Sequence, residues 1–452
     1  MKRLTQLLRF WFTFDAPVSR RAYLAHGAAL MVLKYAVDAT LIWALAQQLW
    51  TPADYLTTGA DFAHSKLAGA PGTLLPLLGL WTLPFLWIGL TLTLRRALDA
   101  GRSAWLALLF FVPVLNYILM ATLCLLPTQP GRGAASPSPR RNGKLPSALL
   151  SIAAGVGIDF GMFVLSVYGM RDYGLALFVG TPFVAGIVGG YIYNRRYAAT
   201  ERETMEMALL TMCIMVGVLF TVGFEGAICL AMALPLGMAI GAFGAIVGRA
   251  IALRDDRSPW RSLFALALLP PALPLFAPAT PRPPHEVRSA IEIDAPPEVV
   301  WPHVVSFPDL PDPSPLVRRM GIAYPVRARI EGSGVGALRY CEFSTGPFVE
   351  PIRIWERARR LSFDVVQSPP PLREWSPYAG LMPPHLDGYF TARRGEFRLV
   401  RLPGNRTRLE GSTWYELRIG PEAYWGIFAD LIVRRIHHRV LEHIAATTLA
   451  GR

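Results

Sequence analysis

Few side chains in this sequence of 452 residues are spaced for chemistry. Glu342 alternates with Tyr340 and Ser344 on one face of a predicted strand. In an apolar pocket such a carboxyl would be pushed toward a raised pKa and could serve as a general acid or base. Paired instead with an arginine such as Arg339 or Arg353, it would be structural. His437, His438 and His443 share a predicted helix but lack the i, i+4 spacing of a helical zinc site. Cys124, Cys213 and Cys229 lie in apolar runs, Cys341 stands alone in the C-terminal part, and no Cys-x-x-Cys occurs. No Gly-x-Ser-x-Gly elbow or phosphate loop is present, and Gly332-Ser333-Gly334-Val335-Gly336 reads as a strand-connecting turn. The expectation is no metal, no cofactor and no confident catalytic residue. Three sets of ionisable residues fall in or beside apolar runs: the Lys34–Asp38 pair, Asp159 and Glu225. Glu225 falls between two runs, at an interface, while Asp159 and the Lys34–Asp38 pair are candidates for a proton or substrate path, or for internal pairing.

The elements that carry these residues divide the chain. Only 17% of residues are charged and 52% are hydrophobic, where soluble chains average about a quarter charged. Apolar runs near 23–49, 73–94, 103–127, 147–168, 174–194, 207–224, 227–248 and 262–279 approach the ~20 residues that cross a bilayer. Residues 1–16 read as a basic, aromatic lead-in (Leu7, Leu8, Phe10, Trp11, Phe12), not a cleaved signal. Gly237, Gly241, Gly244 and Gly248 form a small-residue stripe suited to close helix packing.

Charge suggests an orientation. With the N-terminus inside and 103–127 re-entrant at Pro113 and Asn116, loops 1–21, 95–102, 132–144, 195–202 and 249–261 are cytoplasmic. They carry most of the Lys and Arg of this half, against Lys66, Arg171 and Arg282 opposite. That count puts the C-terminal part in the periplasm, provided the proline-interrupted 262–279 run crosses. Basic stretches interleaved with aromatics are absent, so no nucleic-acid partner is expected.

After the tether Ala277-Pro278-Ala279-Thr280-Pro281-Arg282-Pro283-Pro284 the period changes. Val287, Ser289, Ile291 and Ile293 alternate as a strand. Further strands are predicted near 325–331, 337–345, 348–356, 360–367, 389–401 and 406–419, then a helix over about 421–448. In the last strand Leu409, Gly411, Thr413, Tyr415 and Leu417 share one face, mostly apolar with hydroxyls, as ligand pockets are. A filled core shows the same alternation. The insert 368–388 is too proline-rich for a strand and too aromatic for a disordered linker. Its Trp375, Tyr378, Leu381 and Met382 are placed for a lid, a membrane-surface contact or a packing flap.

Two resemblances follow from these residues. Ser19-Arg20-Arg21-Ala22-Tyr23 and Arg95-Arg96-Ala97-Leu98-Asp99-Ala100-Gly101-Arg102-Ser103-Ala104-Trp105 resemble a small bacterial inner-membrane family of unknown function. Its signature is Arg-Arg-Leu-His-Asp-x-Gly-Arg-Ser-Gly-Trp. This chain departs from it at Ala97, Leu98 and Ala104 and lacks its C-terminal Asn-Arg-Tyr-Gly. Arg95, Arg96 and Arg102 are expected to meet lipid phosphates, with Asp99 capping or neutralising the cluster. Ile291-Glu292-Ile293-Asp294-Ala295-Pro296-Pro297-Glu298-Val299-Val300-Trp301, Ile354-Trp355-Glu356-Arg357 and Thr407-Arg408-Leu409-Glu410-Gly411-Ser412-Thr413-Trp414-Tyr415 resemble the SRPBCC superfamily of START-like, polyketide-cyclase-like helix-grip proteins. That resemblance implies a sheet wrapped around the last helix, with a hydrophobic cavity between them.

The sequence thus predicts an all-α multi-pass transmembrane bundle followed by an α+β helix-grip domain. Its parts are an N-terminal membrane domain (1–130), a second helical region (131–279), a linker (280–284) and the grip domain (285–452). The expected function is a bacterial inner-membrane binding module for an apolar or lipidic small molecule, with membrane lipids as partners. Tyr340, Leu409, Gly411, Thr413, Tyr415, Trp375 and Tyr378 are the candidate ligand residues. An enzyme working in the same cavity, or a transporter with the domain as sensor, are the alternatives.

Overall fold

The computed structural model describes residues 2–14, 17–55, 67, 70–71, 74–111, 115–129, 143–254, 284–319, 321–378 and 380–450. They form two compact units. The first takes residues 1–165, 179–215 and 236–280, and the second takes 166–178, 216–235 and 281–452.

Among the described residues, six helices have the length and apolarity to cross a membrane: Arg20–Ala46, Leu77–Asp99, Lys144–Gly169, Ala176–Tyr197, Glu201–Val222 and Ala227–Ala252. The chain is a multi-pass membrane protein. The predicted 103–127 run is not one of them. It is a 3-10 helix over Ala104–Phe111 and a separate helix, Leu115–Leu125, of 11 residues. That helix reaches about 16 Å, short of the roughly 30 Å bilayer core. The predicted 262–279 run lies outside the described residues.

Within the first unit, glycine lets helices meet backbone to backbone. A Cβ on Gly186 or Gly190 of helix Thr181–Tyr197 would collide with the carbonyls of Gly241 and Ala245. One on Gly244 or Gly248 would collide with those of Phe183 and Ile187. The stripe is therefore used for packing at Gly241, Gly244 and Gly248, while Gly237 faces the Met212 sulfur at 3.7 Å. Lys34 and Asp38 pair on one helix face, and the Tyr55 hydroxyl donates to Asp38 Oδ2 at 2.6 Å. Asp159 is buried, and its Oδ2 has no hydrogen-bond partner among the described residues.

The arginine signature is corrected in part. Arg95 and Arg96 are 1% and 0% exposed, so neither faces lipid phosphate. Arg95 donates to the Phe10 carbonyl at 2.5 Å and lies over the Phe10 ring. Arg96 pairs with Asp99 and donates to the carbonyls of Leu123 and Leu126. These guanidiniums satisfy carbonyls at the end of helix Leu115–Leu125 and near the N-terminus, which buried polar groups require. Arg102 alone is exposed.

Among the described residues of the second unit, seven antiparallel strands run β1 (His285–Ile293), β2 (Pro325–Glu331), β3 (Leu338–Phe343), β4 (Gly346–Glu356), β5 (Arg360–Asp364), β6 (Phe390–Leu402) and β7 (Arg406–Leu417). Their order in the sheet is β1-β7-β6-β5-β4-β3-β2. The β1–β7 register sets His285 opposite Tyr415 and Ile293 opposite Thr407. The C-terminal helix, Glu422–Ala450, buries Trp425, Ala429, Val433, His437, Val440, Leu441 and Ile444, and Val440, Leu441 and Ile444 pack with Ile293, Leu361 and Leu409 of the sheet. This is a helix-grip layout. Helix Pro297–Val305 adds Val300, Trp301 and Val304 to the same core.

Candidate functional site

The inner face of the sheet is where a ligand of this fold would lie. In β7 the buried residues alternate as expected, with Leu409, Gly411 and Tyr415 turned inward. A Cβ on Gly411 would stand 3.6 Å from Leu441 Cδ2 and 3.7 Å from Phe397 Cε1, ordinary contact distances. Thr413 Oγ1 shares a 2.8 Å hydrogen bond with His437 Nε2, and Ser289 Oγ lies 3.3 Å from His437 Nδ1. A polar spot is thus set into an apolar surface, between β1, β7 and the last helix. Burial lowers the His437 pKa to about 4, helped by the nearby charges of His438 and Arg434, so the ring is neutral at pH 7. Tyr415 is fully buried, donates to Asp430 Oδ1 at 2.7 Å, and lies between the stacked rings of His285 and Phe390.

Farther along the sheet the interior holds an ion pair. Arg339 and Glu350, cross-strand partners on β3 and β4, meet with 1% and 7% of their side chains exposed. The guanidinium is bracketed by the rings of Phe307, Phe363 and Phe397. Burial raises the Glu350 carboxyl while Arg339 pulls it back down. A buried pair of this kind costs several kcal/mol if one partner is removed, so it fixes where β3 and β4 sit against the core.

Glu342 and Tyr340 are corrected. Strand alternation puts them on the opposite face from the buried Arg339 and Cys341. Glu342 accepts from Arg327 Nε at 2.6 Å and Arg329 Nε at 3.2 Å, and these hydrogen bonds hold its pKa below the ordinary carboxylate value. The Arg329 guanidinium lies 4.1 Å from the Tyr340 ring centroid. An outward, ion-paired carboxylate has no role as a buried acid.

The insert 368–388 is also relocated. The Tyr378 hydroxyl donates to the Thr221 carbonyl, and its ring lies beside Gly223. The Trp375 carbonyl accepts from Ala227 N at 2.9 Å. The insert therefore packs on the turn between helices Glu201–Val222 and Ala227–Ala252, and the lid expectation gives way to the packing flap. Trp375 and Tyr378 remain 67% and 48% exposed. His437 and His443 do not converge: the His443 ring meets Phe307 edge-on instead, at 5.9 Å.

A groove of about 830 Å³ opens beside the start of helix Pro297–Val305 and the β4–β5 turn. Its walls include Glu298, Arg357, Arg360, Glu396, Arg398 and Arg401, a charged lining where an apolar one was expected. Leu399 belongs both to this groove and to the buried core.

Sequence reasoning missed one group. Cys229, Glu374 and His385 bring a sulfur, a carboxylate oxygen and a ring nitrogen within 4.8 Å of one another. Cys229 is separated from the other two by 145 and 156 residues, so no motif spacing could signal it.

Comparison with known proteins agrees with this division. Residues 11–134 match the family described as a protein of unknown function, DUF805. Residues 284–414 match the family described as polyketide cyclase / dehydrase and lipid transport. No curated protein is significantly similar to the chain. Among solved structures, a protein of Nitrosospira multiformis is similar at 19% identity over 37% of this chain and 100% of its own, with a TM-score of 0.24. Norcoclaurine synthase of Thalictrum flavum is similar at 15% identity over 37% of this chain and 95% of its own, TM-score 0.25. An aromatase/cyclase of a Streptomyces species is similar at 15% identity over 36% and 93%, TM-score 0.23.

Proposed function

We propose that the protein is a membrane-anchored binding module whose grip domain holds an apolar or lipidic molecule against the inner face of its sheet. The observation that carries this reading is the polar spot of His437, Thr413 and Ser289 set among apolar side chains, beside Gly411, where a Cβ would stand in ordinary contact with Leu441 and Phe397. A neutral imidazole and two hydroxyls suit one oxygen of an otherwise apolar ligand. The arginine-rich groove at Leu399 would suit an anionic head. The family match over 284–414 supports the same reading.

We place the module in the bacterial inner membrane with the domain on the periplasmic side. Residues 166–178 and 216–235 belong to the same compact unit as the grip domain. Within 166–178 and 216–235 the only Lys or Arg is Arg171, against the many in the opposite loops.

Native mass spectrometry of the full chain in detergent tests the binding role. An apolar molecule of defined mass, retained by the native chain and by Gly411→Ala but lost from Gly411→Phe, is the expected result. A bare protein mass, unchanged after incubation with membrane lipid extract, would overturn it.

A further inference from the structure

Four ionisable or ligating side chains from three distant stretches meet within the second unit, away from the sheet interior. Cys229 stands in the first turn of helix Ala227–Ala252, Glu225 just before that helix, and Glu374 and His385 near the two ends of the 368–388 insert. The His385 ring is 7% exposed, Glu225 likewise, and the Glu374 side chain not at all. Cys229 Sγ lies 2.9 Å from His385 Nε2, and Glu374 Oε1 lies 4.0 Å from that same nitrogen.

The surroundings hold each group in place. Glu374 accepts from the Cys229 and Ile228 amides at 3.3 and 3.2 Å, using the free N–H groups of the helix start. Gly226 permits this approach, because a Cβ there would collide with the Glu374 carboxylate. His385 sits in a single turn, Pro384–Leu386, with the Tyr173 ring edge-on at 5.2 Å. On the far side of the imidazole, Nδ1 faces Glu225 Oε2 at 3.2 Å, and neither atom makes an aligned hydrogen bond among the described residues. The other Glu225 oxygen accepts from the Tyr173 hydroxyl at 2.8 Å.

Electrostatics makes this cluster costly by itself. Two buried carboxylates and a thiol surround one imidazole, and among the described residues neither carboxylate forms an ion pair with a Lys or Arg. Buried carboxylates need a compensating charge. We propose that Cys229 Sγ, His385 Nε2 and Glu374 Oε1 bind a divalent zinc ion, with Glu225 and Tyr173 orienting the histidine from behind. Thiolate, imidazole and carboxylate form a zinc ligand set. Tetrahedral bonds of 2.0–2.3 Å set such ligand atoms about 3.3–3.8 Å apart, inside the spread from 2.9 Å to 4.8 Å found here. The Cys229 thiolate, the Glu374 carboxylate and Zn²⁺ sum to zero, which leaves Glu225 as the one remaining anion. Its Oε2 accepts a hydrogen bond from the Nδ1–H of the ligating ring, as carboxylates behind metal-bound histidines do. Three protein ligands leave a fourth position for water or a substrate atom.

The test uses the full chain in detergent. Elemental analysis is expected to find about one zinc per chain, and cobalt replacing it should give tetrahedral d–d bands with a thiolate-to-cobalt charge-transfer band. Cys229→Ser should abolish the charge-transfer band. Glu225→Gln should keep the band but weaken zinc binding by about ten- to a hundredfold. A purified chain that holds no metal and takes up neither zinc nor cobalt at micromolar concentration overturns the site. So does a cobalt spectrum, in the folded native chain, that lacks the thiolate band.

Discussion

At the scale of single residues, the interior of the grip domain is more polar than hydrophobic patterning suggests. His437 illustrates the consequence. Unfolded, its imidazole takes up a proton near pH 6.5, and folded only near about 4. The unfolded chain therefore binds more protons between those values. Stability falls as pH drops from about 6.5 to about 4 and is level below that, by roughly 3 kcal/mol for this group. His437→Gln keeps a donor and an acceptor for Thr413 and Ser289 but does not titrate. Between about pH 6.5 and about 4 the melting temperature of the native chain should fall relative to that of His437→Gln, and parallel curves would refute the assignment. Glu342 carries the opposite lesson. Its type and its neighbours Tyr340 and Ser344 were readable in sequence, but strand alternation turns it toward Arg327 and Arg329, where ion pairing stabilises the charged form.

At the scale of elements, glycine decides how the helices of the first unit approach. Gly190 and Gly248 each sit against a carbonyl of the facing helix, so a side chain there must drive the pair apart. Gly217 meets nothing within 4 Å. Gly190→Leu and Gly248→Leu are expected to lower the melting temperature in detergent by several degrees or to prevent purification as a monodisperse species, whereas Gly217→Leu leaves both unchanged. Equal behaviour of all three would remove the close-packing account. The arginine signature obeys a similar element-level logic. Arg96 reaches the last carbonyls of Leu115–Leu125, and satisfying a helix end inside a bundle outweighs reaching for lipid phosphate.

At the scale of the whole molecule, sidedness joins the charge pattern to the composition of the second unit. An alkaline phosphatase fusion after Ala450 should be active and a green fluorescent protein fusion dark; the reverse pair would move the domain to the cytoplasm. The sequence by itself determined the helical membrane half, the strand and helix succession of the grip domain and the inward face of β7, because hydrophobic length and periodicity are local properties. The interruption expected at Pro113 lies outside the described residues, which show a 3-10 helix before it and an 11-residue helix after it. Only the tertiary structure decided that Arg95 and Arg96 are buried, that the 368–388 insert packs on residues 216–227, and that an Arg339–Glu350 pair shares the core. It alone gathered Cys229, Glu374 and His385. Each of these depends on which segments meet in space, and for the Cys229 group, paired across 145 or more residues, no period or spacing along the chain is left to read.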